Sequence, residues 1–147
     1  MASSSISLDK HVFLITLRLM IAASSPMRKL LLEKSKVEIF NALEGGSNLT
    51  LHCKSKNDDL GFHTLQSGQS YHFEFRPNFI IDNTLFFCSF AWPEDPTLHY
   101  FDIYNGKYND CVYCPWQVHK QNICGPRHQV PNDQTDCFPY DQSLEKF

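Results

Sequence analysis

From Lys36 onward, apolar and polar positions alternate with a period of two rather than 3.6, the pattern of strands with one covered face. The clearest stretch is Tyr71-His72-Phe73-Glu74-Phe75, where aromatic residues alternate with polar ones. Val37 and Ile39 flank Glu38, and Leu49, Leu51 and Cys53 alternate with Thr50, His52 and Lys54. These two strands are expected to be joined across Glu44-Gly45-Gly46-Ser47, with the glycine pair supplying the turn. Residues 84–91 are nearly all apolar and read as a central strand covered on both faces, whereas 98–104 and 114–119 alternate again. Six strands follow from pattern alone. Between them lie turn clusters at Asn57-Asp58-Asp59 before Gly61, Gln66-Ser67-Gly68, Arg76-Pro77-Asn78, Pro93-Glu94-Asp95-Pro96 and Asn105-Gly106. Short strands and turns at this spacing predict an all-β antiparallel sandwich or barrel. After Cys124, Pro126, Pro131 and Pro139 among polar residues read as an irregular tail, although Cys137 implies that it is tied down.

The N-terminus has a different pattern. Lys10 and His11 precede an apolar run from Val12 to Ala23, which ends in the small residues Ser24 and Ser25. This is the layout of a signal peptide, and the run is far short of the roughly 20 residues needed to span a bilayer. Cleavage is expected ahead of Ser25, giving a removed leader (1–24), a short segment (25–35), the strand-rich domain (36–140) and a tail (141–147). Loss of the leader leaves 11 basic and 15 acidic residues, a net charge of −4. Such a chain has no basic field for nucleic acid or for an anionic membrane, so no nucleic-acid partner and no membrane insertion of the mature chain are expected. At 147 residues, one core is all it builds.

Six cysteines, Cys53, Cys88, Cys111, Cys114, Cys124 and Cys137, all lie downstream of the leader. Cys111-Val112-Tyr113-Cys114 has the spacing of a redox pair or of half a zinc site. However, Cys114 opens a segment of strand character rather than a helix, and Cys124 and Cys137 supply no second C-x-x-C. Disulfides are the expected fate, and no metal is expected. Residues i and i+3 of an extended strand are about 10 Å apart, so Cys111 and Cys114 should pair elsewhere unless a turn folds them together. Of the 15 connectivities, the favoured one is Cys53 with Cys137, Cys88 with Cys114 and Cys111 with Cys124, because the first would tie an early strand to the last.

Candidate catalysts are scattered. His52, His63, His72, His99, His119 and His128 include no pair at helical spacing and none beside a nucleophile turn. Asp58, Asp59, Glu94 and Asp95 could be offered as a glycosidase carboxylate pair, but adjacent acids in polar loops are ordinarily turn formers. Asn48-Leu49-Thr50 is an N-glycosylation sequon beside the Gly-rich turn. The aromatics Phe73, Phe75, Phe86, Phe87, Phe90, Trp92 and Trp116 are read as core rather than as a stacking platform.

The block His52-Cys53-Lys54-Ser55-Lys56-Asn57-Asp58-Asp59-Leu60-Gly61 resembles the plant self-incompatibility S-protein homologue family. The resemblance continues through 65–68, 71–75, 84–88, 101–104 and 111–116, and Cys137-Phe138-Pro139-Tyr140 is similar to the ending of six-cysteine members. It implies a secreted, glycosylation-prone β-sandwich of about eight strands with a final strand near Cys137, no catalysis and no cofactor. The best-understood members are stigma ligands for a pollen receptor. On that basis the expected function is a secreted, monomeric signalling ligand that binds a cell-surface receptor through polar loops at 54–61, 76–83 and 93–97. Contact residues would be Lys54, Lys56, Asp58, Asp59, Arg76, Asn78, Asp82, Glu94 and Asp95. A membrane-damaging defence protein and a secreted hydrolase are the alternatives; the first would need a cationic surface and the second convergent His and acid residues.

Overall fold

The computed structural model describes residues 10–18, 33–78, 83–107, 111–126 and 135–141. Residues 10–18 form a short helix whose Val12, Phe13, Leu14, Ile15 and Leu17 are all exposed. No helix among the described residues is long and apolar enough to cross a membrane. The leader cleavage point lies outside the described residues.

The unit from Lys34 onward is built of strands. They are β1 (Ser35–Asn41), β2 (Leu49–Lys54), β3 (Asp59–Leu65), β4 (Ser70–Phe75), β5 (Leu85–Trp92), β6 (Asp95–Asn105), β7 (Tyr113–Val118), β8 (Asn122–Pro126) and β9 (Thr135–Pro139). A five-stranded sheet has the order β4-β1-β7-β8-β9 and a four-stranded sheet the order β3-β2-β5-β6. Their inner faces share one core. Val37, Ile39, Phe73, Trp116, Val118 and Ile123 from the first sheet meet Leu49, Leu51, Phe86, Phe90, Trp92 and Ile103 from the second. Ring contacts such as Phe73 to Phe86 at 5.1 Å and Phe101 to Trp116 at 5.1 Å cross between them. This is the expected all-β sandwich, with one parallel ladder, β1 with β7, among antiparallel pairs.

The burial pattern explains which strands could be read from sequence. Strands β1 and β2 alternate strictly between buried and half-buried positions, as their periodicity predicts. In contrast, the Gly45-Gly46 segment is no hairpin turn: β1 and β2 lie in different sheets, so it carries the chain across the sandwich. Strand β5 is central in its sheet, but only one of its faces is fully covered; Leu85, Phe87, Ser89 and Ala91 are half-buried on the outer side. The Asp-rich cluster expected as a turn through Gly61 ends at Asp58, and Asp59 already begins β3. Gly61, with φ of +75°, lets the strand bulge where the β2–β3 register shifts between His52 and Lys54. Asp95 and Pro96, read as part of a turn, are the first residues of β6.

The supposed tail supplies β8 and β9, with Pro126 and Pro139 as terminal strand residues where a missing N–H is tolerated. Gly125 lies against the face of Trp116; a Cβ there would come within 2.1 Å of the indole, so only glycine fits.

The disulfides are Cys53–Cys88, Cys111–Cys114 and Cys124–Cys137, and the favoured pairing is therefore wrong at all three bonds. Ladder register is the reason. Cys53 stands directly opposite Cys88 in β2–β5, and Cys124 directly opposite Cys137 in β8–β9, so each bond staples neighbouring strands within one sheet. Cys111 precedes β7 in a bend, which brings its Cα to 5.6 Å from that of Cys114, the turn that an extended geometry lacks.

Candidate recognition surface

Strand register sorts the connecting segments onto the two ends of the sandwich. Strand β2 leaves the Asn48 end at Leu49 and reaches the opposite end at Lys54, and β5 runs back antiparallel with Lys54 facing Phe87 and Thr50 facing Ala91. The β2–β3 turn (55–58) and residues 76–78, which follow β4, therefore lie at one end, here the Lys56 end. The β1–β2 segment, the β5–β6 turn at Pro93-Glu94 and the β7–β8 turn at 119–121 lie at the other. The three expected recognition loops thus do not form one surface: 54–61 and the described residues 76–78 share an end, and 93–97 is a sandwich length away. Asp82 lies outside the described residues.

The Lys56 end is ordered by its own side chains. Ser55 Oγ accepts from the N–H groups of Asn57 and Asp58 and donates to the Asp58 carboxylate at 3.1 Å, while the Ser55 N–H donates to the Asp58 carbonyl at 2.8 Å. Asp59 bridges back to β2, its Oδ1 accepting from His52 Nε2 at 2.6 Å and from the Gly61 N–H at 2.9 Å, with Lys54 Nζ 3.3 Å from Oδ2. The His52 hydrogen bond, followed by that of Gly61 and then Lys54, lowers the Asp59 pKa to about 2. Lys56 is exposed at the turn and makes no hydrogen bond or ion pair among the described residues. Arg76 is exposed, and the Asn78 N–H donates to Thr84 Oγ1 at 2.8 Å, which pins the loop base. Sequence reasoning missed Phe62, whose ring lies on His52 at 4.1 Å between centroids and is 73% exposed. Its alternation with His63 was the available signal, hidden because the preceding acids and glycine read as turn.

The Asn48 end has a different character. Glu44 accepts from His119 Nδ1 at 3.0 Å and from the Lys120 N–H at 2.9 Å, and the Lys120 contact chiefly lowers its pKa. Ser47 Oγ donates to Glu94, which lowers the Glu94 pKa. Asp95 accepts from the Thr97 N–H and from His99, with Thr97 the larger influence in lowering its pKa. The Glu44 and Glu94 bonds tie three connections to one another beside the exposed Asn48, whereas those of Asp95 stay within β6.

The histidines do not converge. His52, His99 and His119 each pair with a different carboxylate in a different place, His63 contacts the Leu60 carbonyl and stacks on Tyr71, and His72 is exposed. His128 lies outside the described residues. No group of three metal-ligating side chains occurs among the described residues. The aromatics read as core are buried at Phe73, Phe86, Phe90, Trp92 and Trp116, whereas Phe75 and Phe87 are half-buried.

Comparison with known proteins bears on this same stretch of chain. The family model described as plant self-incompatibility protein S1 matches residues 36–140. The chain belongs to this family. It is 39% identical to S-protein homolog 5 of Arabidopsis thaliana over 73% of this chain and 79% of that protein. To S-protein homolog 2 of the same plant it is 42% identical over 76% of this chain and 71% of that protein. A solved structure of self-incompatibility protein homologues, described as a widespread family of small, highly stable, secreted plant proteins, superposes with a TM-score of 0.51 at 17% identity. That match covers 71% of this chain and 95% of the other, and supports the sandwich fold.

Proposed function

We propose that this family member is a secreted, non-catalytic ligand that binds a cell-surface receptor protein through the loops at the Lys56 end. The leader is removed on export, and the 36–140 domain acts as a disulfide-stapled monomer. The observation that carries the reading is the gathering of the 54–61 segment and residues 76–78 at one end, where Lys54, Asp58 and Asp59 are held in place and Lys56 has no partner among the described residues. A rigid turn bearing both signs of charge discriminates partners by complementarity and loses little freedom on docking. Glu94 and Asp95 are engaged at the opposite end and serve there as structural ties. The hydrolase reading is disfavoured because each His–carboxylate pair stands apart from the others, and the defence reading because the mature charge is negative.

The test is binding of labelled mature protein to plant plasma-membrane vesicles with and without protease treatment. Saturable, protease-sensitive binding is expected, lost in a Lys56→Glu/Asp58→Lys variant and retained in Glu94→Gln. Absence of saturable binding, or its loss in Glu94→Gln alone, overturns the proposal.

A further inference from the structure

Among the described residues of the strand unit, Phe62 is the most exposed large hydrophobic one, at 73%, ahead of Leu98, Val112 and Tyr113 at 49–50%. It lies on the outer face of β3, directly across the ladder from His52. Its ring covers His52 at 4.1 Å, and the His52 side chain is in consequence only 12% exposed. His52 in turn is fixed by Asp59 at 2.6 Å, and Asp59 by Lys54 at 3.3 Å. An exposed aromatic ring is thus seated on a hydrogen-bonded platform instead of swinging free. Rigid, exposed aromatic side chains are the usual anchors of protein interfaces, because they bring large contact area at small entropic cost.

The charges around it specify what fits. Along the same hairpin, Asp58 is turned back onto Ser55 and Asp59 onto His52 and Lys54. On this hairpin only Lys56 carries a charge with no internal partner among the described residues, and Arg76, at the same end, adds a second positive charge of that kind. The complementary surface is therefore apolar where it meets Phe62 and acidic where it meets Lys56.

We infer that Phe62 is the anchor of the recognition surface and inserts into an apolar pocket of a receptor protein whose rim is acidic beside Lys56. This rests on the receptor-binding reading above and adds to it the contact residue and the chemistry of the partner. The Asp59–His52–Lys54 set acts as a positioning group for the ring.

The experiment measures affinity of mature protein for plant plasma-membrane vesicles, with protease-treated vesicles and isolated cell-wall polysaccharide as parallel probes. Phe62→Ala should weaken protease-sensitive binding by about tenfold or more, Phe62→Tyr should restore most of it, and Leu98→Ala should leave it unchanged. Lys56→Glu should weaken it, and added salt should weaken the wild type more than Lys56→Glu. Unchanged melting temperatures confirm that the variants fold, as expected for an exposed side chain. If wild type binds and Phe62→Ala binds equally, the inference falls while the receptor reading stands; if wild type shows no saturable protease-sensitive binding, both fall. Transfer of the Phe62-dependent binding to polysaccharide, or Phe62-dependent self-association in sedimentation, also overturns it.

Discussion

Asp59 remains ionised throughout the acidic to neutral range, since its pKa is brought down to about 2 by His52, Gly61 and Lys54. A carboxylate whose folded pKa lies below its unfolded value adds stability above the unfolded value, near 3.9, and that contribution is lost as pH falls through about 2. Carboxylate NMR titration should therefore place the Asp59 midpoint near 2 in wild type and move it upward in His52→Ala, because the largest cause has been removed; an unmoved midpoint would contradict this geometry. At this scale the sequence was readable in part. Lys54 and Asp59, expected in one turn with Asp58, are the strand residues on either side of it, whereas the polar phase of His52 in β2 was evident from alternation. Phe62 was not, because local turn chemistry at Asp59 and Gly61 masks a strand whose register is set across the ladder by β2.

Strands and their covalent ties obey the same logic. Under the loop-entropy account, the constraint grows with the chain enclosed. Sequence separations of 35, 13 and 3 for Cys53–Cys88, Cys124–Cys137 and Cys111–Cys114 correspond to about 4, about 3 and about 1.5 kcal/mol. Paired Cys→Ala replacements should lower the urea unfolding free energy in that order, with the Cys111/Cys114 variant least affected; a reversed order would sink the account. β1, β2, β4 and β7 were evident because one face is buried and the other is not. β8 and β9 escaped pattern reading, since prolines at strand ends look like loop until a partner strand is known, and only the family resemblance anticipated a final strand. The pairing of the cysteines was not recoverable, because it depends on which residues face each other across ladders between strands distant in sequence.

For the molecule as a whole, the sequon and the loops proposed for recognition lie at opposite ends of the sandwich. Asn48 is exposed at the end where Glu44, Ser47, Glu94 and Lys120 tie the connections together, so a glycan there projects away from the Lys56 end. Protein secreted from plant cells should shift in mobility on glycosidase treatment, Asn48→Gln should abolish that shift, and vesicle binding should be unaltered; impaired binding would place recognition at the wrong end. The sandwich architecture was readable from periodicity and turn spacing, whereas the assignment of loops to ends was not, because it requires knowing that β1 and β2 belong to different sheets.

The parallel ladder between β1 and β7, in which Lys36 faces Tyr113, also determines when the chain can finish. A ribosome delivers the first strand long before the neighbour that must lie beside it, and until then β1 has an open flank along its length. Completion must therefore wait for β7 to emerge, and a nascent chain stalled before it would present an unpaired strand edge to whatever surrounds it.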